Sequence, residues 1–140
     1  MTERIEAAAI LLADKALEHP DVYASTPHPP DDNLDSHFFI QDFRIDDNNP
    51  LWGDFLDVTF SLRFAAKYRI AEESWALGYR ILDPDTGLKT VLEELKTETS
   101  GPFEELQVTG GGMTVVLNQQ DNTRYLAIDM VAGALLRSIT

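Results

Sequence analysis

The feature that most constrains this chain is an unbroken alternation of side-chain type over the thirteen residues from Val58 to Ile70. The apolar set consists of Val58, Phe60, Leu62, Phe64, Ala66, Tyr68 and Ile70. The intervening set is mostly polar and consists of Thr59, Ser61, Arg63, Ala65, Lys67 and Arg69. A period of two predicts a β-strand with one face on a core. At about 3.3 Å per residue this strand would span roughly 43 Å, so we expect it to bend or to project beyond the domain.

Shorter alternating patterns predict three more strands. Residues 37–45 form the first of them, and residues 103–118 and 123–132 form an antiparallel hairpin. In the first strand we place three apolar side chains on one side, namely Phe39, Phe43 and Ile45. In the hairpin the alternating apolar residues are Val115, Leu117, Leu126, Ile128 and Met130. The residues from Ala134 onward either continue the last strand or form a short tail.

Helical spacing of apolar residues occurs in three places. Residues 3–18 form an amphipathic pattern. Residues 72–82 and 86–96 predict two more helices, although residues 75–82 could instead form a strand. The apolar stripes of these two helices are Trp75, Tyr79 and Leu82 in one, and Leu88, Val91, Leu92 and Leu95 in the other.

These patterns together predict an α+β fold, with an antiparallel sheet of about four strands packed against two or three helices. The length of 140 residues fits one domain, and a hydrophobic content of 44% is enough for a buried core. We therefore expect residues 1–140 to form a single domain. Because the chain contains no cysteine, disulfides, Cys-based zinc sites and thiol nucleophiles are excluded.

Segments rich in proline, aspartate and asparagine predict the loops and turns. Residues 20–36 and 46–54 are the two longest of these segments. Trp52 lies in the second loop, where a tryptophan either packs at the edge of the core or sits at an interface. We favour the core but keep Trp52 as a candidate binding residue. In a third turn, Asp83 is a candidate helix cap with Pro84 at the first helical position.

The formal net charge is −13, and it is distributed unevenly. Residues 31–57 contain eight aspartates and one arginine. Such a chain cannot hold nucleic acid by general charge attraction, which requires lysine and arginine. The one positive stripe lies on the polar side of the long strand, and its candidate binding residues are Arg63, Lys67 and Arg69. They either pair within the chain or join an acidic surface of another copy, a contact that would weaken at high salt.

No residue pattern predicts catalysis or a bound cofactor. The three histidines, His19, His28 and His37, are not accompanied by a G-x-S-x-G nucleophile pattern. Aspartates surround His28 and His37, but no H-x-H or H-E-x-x-H spacing presents two metal ligands from one rigid face. The glycines at 110–112 lack the lysine of a phosphate-binding loop and predict a β-bulge or a flexible ribbon. We therefore expect no enzyme activity, no cofactor and no metal.

Neither an export signal nor a membrane span is expected. The apolar run at residues 7–13 is too short for a signal peptide, and Glu3 and Glu6 precede it. No stretch approaches the roughly 20 apolar residues that a membrane span requires. We expect a soluble, intracellular protein.

The order of these elements resembles that of the tail-terminator, or tail-completion, proteins of tailed bacteriophages. An N-terminal helix and an acidic loop are followed by a strand, the long strand DVTFSLRFAAKYRI, a helical stretch and a closing hairpin. Members of that family are small α+β proteins that form a hexameric ring on the tail tube, where it meets the head connector. The resemblance implies a structural protein of the virion, assembled in the host cytoplasm. Its implied partners are other copies of itself and the tail-tube and connector proteins.

The acidic composition leaves a second hypothesis open. The chain could be an acidic inhibitor, either a DNA mimic or an anti-defence or immunity-type protein. Residues 31–57 would then occupy the basic nucleic-acid site of a target protein. Neither hypothesis involves sequence-specific binding of nucleic acid by this chain.

Overall fold

The computed structural model of the chain describes residues 2–31, 35–47, 55–98, 101–118 and 122–137. Trp52 and most of the predicted loop 46–54 lie outside the described residues. The elements in chain order are α1 (Thr2–Ala16), β1 (Ala24–Thr26), β2 (His37–Asp47), β3 (Leu56–Lys67), α2 (Ala71–Leu82), α3 (Leu88–Glu93), β4 (Phe103–Asn118) and β5 (Thr123–Leu136). A 3₁₀ turn over Glu94–Thr97 follows α3 directly.

Within the described ranges, five strands form one mixed sheet in the order β1-β2-β3-β5-β4. The pair β1–β2 is parallel, and the other three pairs are antiparallel. The predicted α+β class is confirmed, whereas the sheet has five strands and is not purely antiparallel. The missed strand is β1, which lies inside the predicted loop 20–36 and pairs with the start of β2. Three residues are too few to show a periodicity, so this strand depends on its partner rather than on its own sequence.

The central strand β3 faces as its alternation predicts. Its buried residues are Leu56, Val58, Phe60, Leu62, Phe64 and Ala66. These side chains share one core with the buried residues of α1, α3, β4 and β5. The strand ends at Lys67, so Tyr68 and Ile70 do not extend the apolar face, and Ile70 is exposed.

The same strand does not project from the domain, so of the two alternatives, bending or projecting, the second is wrong. Every residue from Leu56 to Lys67 has a partner in β5. On its other side β3 pairs with β2 from Asp57 to Ala65. The long strand is accommodated because its neighbours β2, β4 and β5 are about equally long, which lets the sheet satisfy the backbone groups on both sides of β3.

The facing predicted for β2 is only half right. Phe38 and Ile40 are buried in the core, whereas Phe39 lies on the opposite side of the sheet. A register irregularity between Ile40 and Asp42 inserts an extra residue, which moves the later odd-numbered side chains to the core side. There Phe43 lies opposite the buried Phe60, yet its side chain remains exposed.

The segment that could have been a strand is the helix α2, but its inner face differs from the predicted stripe. Its buried residues are Ser74, Gly78 and Ile81, while Trp75 and Tyr79 are exposed. Gly78 explains this choice, because a Cβ at that position would overlap the sulfur of Met113. A small residue lets the helix approach β4 closely, and bulky aromatics on that face would prevent it.

The helix α3 buries Leu88 and Leu92 as predicted, but Asp83 does not cap it. The Asp83 carboxylate accepts hydrogen bonds from the backbone N–H groups of Asp85 and Thr86, at 2.8 and 3.0 Å. The residue that precedes the first turn of α3 is Gly87. The aspartate therefore closes a separate turn, because its short side chain reaches backbone two and three residues ahead.

The hairpin of β4 and β5 confirms the predicted bulge. Gly110 lies opposite Met130 and Met113 lies opposite Ile128, so Gly111 and Gly112 together oppose the single residue Asp129. The strand β5 continues to Leu136, so residues 134–136 run on as strand, while residues 138–140 lie outside the described residues. Among the described residues, no helix has both the length and the apolar character needed to cross a membrane.

Candidate functional site

The predicted positive stripe is largely occupied by bonds within the chain. Arg63 lies opposite Asp129 in the register of β3 and β5. Its Nε and Nη2 atoms donate to the two carboxylate oxygens of Asp129 at 2.7 and 3.1 Å. This two-point bond raises the pKa of Arg63. The guanidinium group is thus held against its own sheet rather than offered to another protein.

Asp35 connects the other two residues of the stripe. Its carboxylate accepts the Lys67 backbone N–H at 2.9 Å and the Arg69 guanidinium at 2.8 Å. Arg69 lies beyond the end of β3, so the three residues do not form one continuous stripe. A binding role for Arg63, Lys67 and Arg69 stays a prediction, as does one for Trp52, which the structure does not describe.

Other basic side chains are also paired internally. The pairs are Lys15 with Glu18 and Glu94, Arg44 with Asp46, Arg80 with Asp21, Lys89 with Glu93, and Arg137 with Glu104. Exposed pairs of this kind contribute little stability, on the order of 0–1 kcal/mol each. Their consequence is electrostatic, because the cations are neutralised locally and the net charge of −13 makes copies of the chain repel one another.

In the part of the chain that the structure describes, the helices cover one side of the sheet. The buried residues of the helices and the buried side chains of β3 belong to one cluster on one face. Among the described residues no helix covers the opposite face, which we call the open face. The residues of β3 on the open face are Asp57, Thr59, Ser61, Arg63, Ala65 and Lys67, and each is at least partly exposed.

Exposed apolar side chains are concentrated at two corners of this sheet. The β2 patch consists of Phe43 and Ile45, which are 53% and 48% exposed. The β4 patch consists of Val115, Val116 and Leu117, which are 44%, 41% and 53% exposed. Isolated exposed apolar residues are ordinary on a protein surface, but consecutive ones on a strand near a sheet edge are typical of interaction sites.

The two patches lie near opposite ends of the strands and near opposite edges of the sheet. Ile45 pairs with Val58 near the start of β3, whereas Val116 pairs with Tyr125, whose partner is Lys67 at the end of β3. The alternation predicted only that Phe43 and Ile45 share one side of their strand and that Val115 and Leu117 share one side of theirs, and it did not indicate their exposure. The signal that could have identified the β4 patch is the absence of any charged side chain in residues 106–118.

The first half of the β4 edge is closed by α3. Glu93 accepts the backbone N–H of Val108 at 2.8 Å, and Lys89 donates to the Val108 carbonyl at 2.8 Å. Burial opposes ionisation of Glu93, but the hydrogen bonds from Lys89 and Val108 prevail and lower its pKa. The ion pair thus satisfies the backbone N–H and C=O of Val108, which would otherwise be free to pair with another strand.

The histidines and aspartates around the first loop are engaged in separate local bonds. The Thr26 hydroxyl donates to the His28 carbonyl at 2.7 Å and lies 3.0 Å from Nε2 of His37. The Nδ1 atom of His19 accepts the Asp21 N–H at 3.1 Å. Within the described ranges no three His, Asp or Glu side chains converge as metal ligands would. The expectations of no metal, no cofactor and no catalysis stay predictions.

Two buried histidines make stability depend on pH. Burial lowers the pKa of His37 and of His19 below the ordinary value of 6.5. Because the Thr26 hydroxyl donates its proton to the His28 carbonyl, we assign Nε2–H of His37 as the donor to the Thr26 oxygen. Protonation would then place a charged N–H at Nδ1, which is buried and has no partner among the described residues. The unfolded chain therefore binds more protons below about pH 6.5, and stability present above that pH is lost as the pH falls.

We expect the free energy of unfolding, measured by urea denaturation, to decrease from about pH 7 to about pH 5. The variant His37→Gln should show a smaller decrease, because a glutamine amide can donate to Thr26 but cannot take up a proton. The double variant His19→Gln/His37→Gln should be flatter still. Equal stability of the wild-type protein at the two pH values would contradict this account.

Comparisons with known proteins leave the site to be interpreted from its own geometry. No protein-family model matches the chain, and no curated protein is similar enough to count as a relative. The two apolar patches and the internally paired cations are therefore the features on which a function has to be based.

Proposed function

We propose that this protein is a structural subunit that joins other copies of itself head to tail in a ring. The observation that supports it is the pair of exposed apolar patches at opposite corners of one sheet. Two different patches on one subunit let each copy contact one neighbour through the β2 patch and the other through the β4 patch. Such heterologous contacts close into a ring when the rotation between neighbours divides a full turn.

The element order favours a particular kind of ring. A helix, a pair of long antiparallel strands, a helical stretch and a closing hairpin occur in the order that resembles tail-terminator proteins. We therefore propose a ring of six copies at the junction of tail tube and head connector of a bacteriophage. A strongly acidic ring suits that position, because a basic lumen would bind the DNA phosphates and slow their passage.

The electrostatic part of the earlier hypothesis has to change. Arg63 and Arg69 are paired with Asp129 and Asp35, so attraction between a basic edge and an acidic body no longer supports the joining of copies. What remains is contact between apolar patches, opposed by the net charge of −13 on each copy. Self-association should therefore strengthen, not weaken, as salt is raised.

The salt dependence can be measured by sedimentation velocity at about 0.1 M and about 1 M NaCl, where the Debye length falls from about 10 Å to about 3 Å. We expect the mean mass to be higher in the second buffer. A lower mass at high salt would mean that charge attraction joins the copies after all.

Electron microscopy of the high-salt sample tests the ring itself. Closed rings of one size with a central opening would support the proposal. The alternative is an acidic inhibitor of a nucleic-acid-binding protein. It would be favoured if this chain stays monomeric and binds such a target protein one to one, and if added DNA displaces the chain from the target. The observation that supports this alternative is the exposed acidic surface of the described residues, which includes Asp42 on β2 and Glu105 on β4.

A further inference from the structure

Within the described residues, the backbone of β4 beyond the glycine bulge has an edge without a partner. The Arg124 carbonyl accepts the Tyr68 N–H at 2.9 Å, so the backbone groups of Arg124 point away from β4. In an antiparallel pair, the backbone groups of two opposite residues either both point toward each other or both point away. Leu117 is opposite Arg124, so its backbone N–H and C=O groups point away from β5. By alternation, the backbone groups of Val115 and Met113 also point outward.

No described group closes this second half of the edge. The ion pair of Lys89 and Glu93 satisfies Val108, on the other side of the bulge. Among the described residues, no side chain or backbone group bonds to the outward groups of Val115 and Leu117. An apolar strand with free N–H and C=O groups is a template for another strand.

The far side of the sheet has a matching edge on β2. The backbone N–H and C=O groups of Arg124 point toward β3, and by alternation along β5 those of Ala132 do too. The partner of Ala132 is Phe60, whose backbone groups therefore point toward β5 and away from β2. The outward groups on β2 are therefore those of Phe43 and, by alternation, Ile45. The short strand β1 covers only His37–Phe39, so within the described part of the chain this half of the edge is unpaired.

The exposed side chains of Phe43, Ile45, Val115 and Leu117 lie on the same face of the sheet, whereas Val116 of the β4 patch lies on the open face. Val115 is opposite Leu126, and Phe43 is opposite Phe60, and both of these partners are core residues on the helix-bearing face. Placing β4 of one copy beside β2 of the next would therefore join two incomplete apolar surfaces into one. The helix-side core would continue from copy to copy.

We propose that the free edge of β4, residues 113–117, pairs as a strand with the free edge of β2, residues 43–45, in a second copy of this chain. This inference rests on the proposed function and specifies its contact. It makes the sheet continuous from one subunit to the next. Within each subunit β4 runs antiparallel to β2. If all subunits have the same orientation around the ring, β4 of one copy is therefore also antiparallel to β2 of the next copy.

Each edge strand also has a half that is already occupied: β1 pairs with the start of β2, and Lys89 and Glu93 bond to Val108 of β4. The positions of these occupied halves agree with the proposed junction. The free half of β2 lies near the start of β3 and that of β4 near its end, about eight residue positions apart, or roughly 26 Å. Neighbouring copies must therefore be staggered along the strands. The stagger carries β1 past the end of the adjacent β4 and leaves the Lys89–Glu93 pair outside the junction. The strands then lie tilted to the ring axis, as they do in closed sheets.

Two proline variants test the junction. Val115→Pro and Ile45→Pro each remove an N–H that points outward and is not used within the subunit, which an edge strand tolerates. The matched controls Val115→Ala and Ile45→Ala remove apolar surface but keep the N–H. Circular dichroism and thermal melting establish that all four variants are folded. Masses are then measured at about 1 mM protein, a concentration that detects weak association, in 1 M NaCl.

We expect each proline variant alone to be monomeric, whereas the alanine variants still associate. An equimolar mixture of the two proline variants should form dimers and nothing larger, because each retains the edge that the other lacks. In the wild-type protein the amide hydrogens of Val115, Leu117, Phe43 and Ile45 should exchange more slowly as concentration rises.

Other outcomes would overturn the inference. Self-association of Ile45→Pro alone would mean that β4 edges pair with each other, and self-association of Val115→Pro alone would mean the same for β2. Closed rings without slowed exchange at these amides would refute the junction and leave the proposed ring intact. Open filaments with slowed exchange would refute the ring and leave the junction intact. A wild-type protein that is monomeric throughout would refute both.

Discussion

Replacing Phe60 by alanine is expected to lower the free energy of unfolding by about 3–5 kcal/mol. Phe60 is fully buried in the central strand β3, where it contributes one of the largest side chains of the core. Truncation removes the transfer energy of the ring and leaves a cavity that a close-packed core fills only in part. Phe64, equally buried on the same strand, should give a loss of similar size when replaced by alanine.

The matched control for this prediction is Ser61→Ala. Ser61 adjoins Phe60 in the same strand but lies on the open face and is partly exposed, so its replacement should change stability by no more than about 0.5 kcal/mol. Urea denaturation of the three variants measures both effects. A loss below about 0.5 kcal/mol for Phe60→Ala would mean that β3 faces the other way.

Replacing Gly111 by alanine is expected to destabilise the protein by about 1–3 kcal/mol. A Cβ at this position would overlap the backbone carbonyl of Asp129 in β5. Backbone atoms of a paired strand cannot rotate aside as a flexible side chain can, so the bulge or the ladder itself has to shift. The same strain would displace the second half of β4, and with it the proposed edge.

Gly112→Ala is the control, because a Cβ there would meet no atom within 4 Å. The two variants add the same methyl group to adjacent residues of the same bulge, so a difference between them isolates the contact with Asp129. Thermal and urea unfolding should place Gly112→Ala close to the wild type. Equal stability of both variants would show that the bulge has room that the structure does not show.

The sequence by itself determined the elements whose signal is local. Period-two alternation placed Phe60 and Leu62 in the core, and the spacing of apolar residues identified the helices, because both patterns follow from backbone geometry within a single element. The glycines at 110–112 predicted the bulge for the same kind of reason, since glycine inside a strand often marks a bulge or a close backbone approach.

The tertiary structure decided what depends on partners far along the chain. The carboxylate that pairs with Arg63 belongs to Asp129, 66 positions away, and no local pattern connects the two. The strand β1 exists because β2 lies beside it, and α2 turns Gly78 inward because Met113 of β4 lies there. Each of these contacts is formed only when the chain has already folded.

The free edges of the sheet belong to the same class. The alternation in β2 gave no sign that an extra residue before Asp42 would bring Phe43 to the core side while leaving it uncovered. Nor could it show that α3 closes the β4 edge at Val108 and leaves it open at Val115. A sequence pattern records which side chains are apolar. Whether another strand or helix covers them depends on strand order and register, which are fixed by long-range pairing.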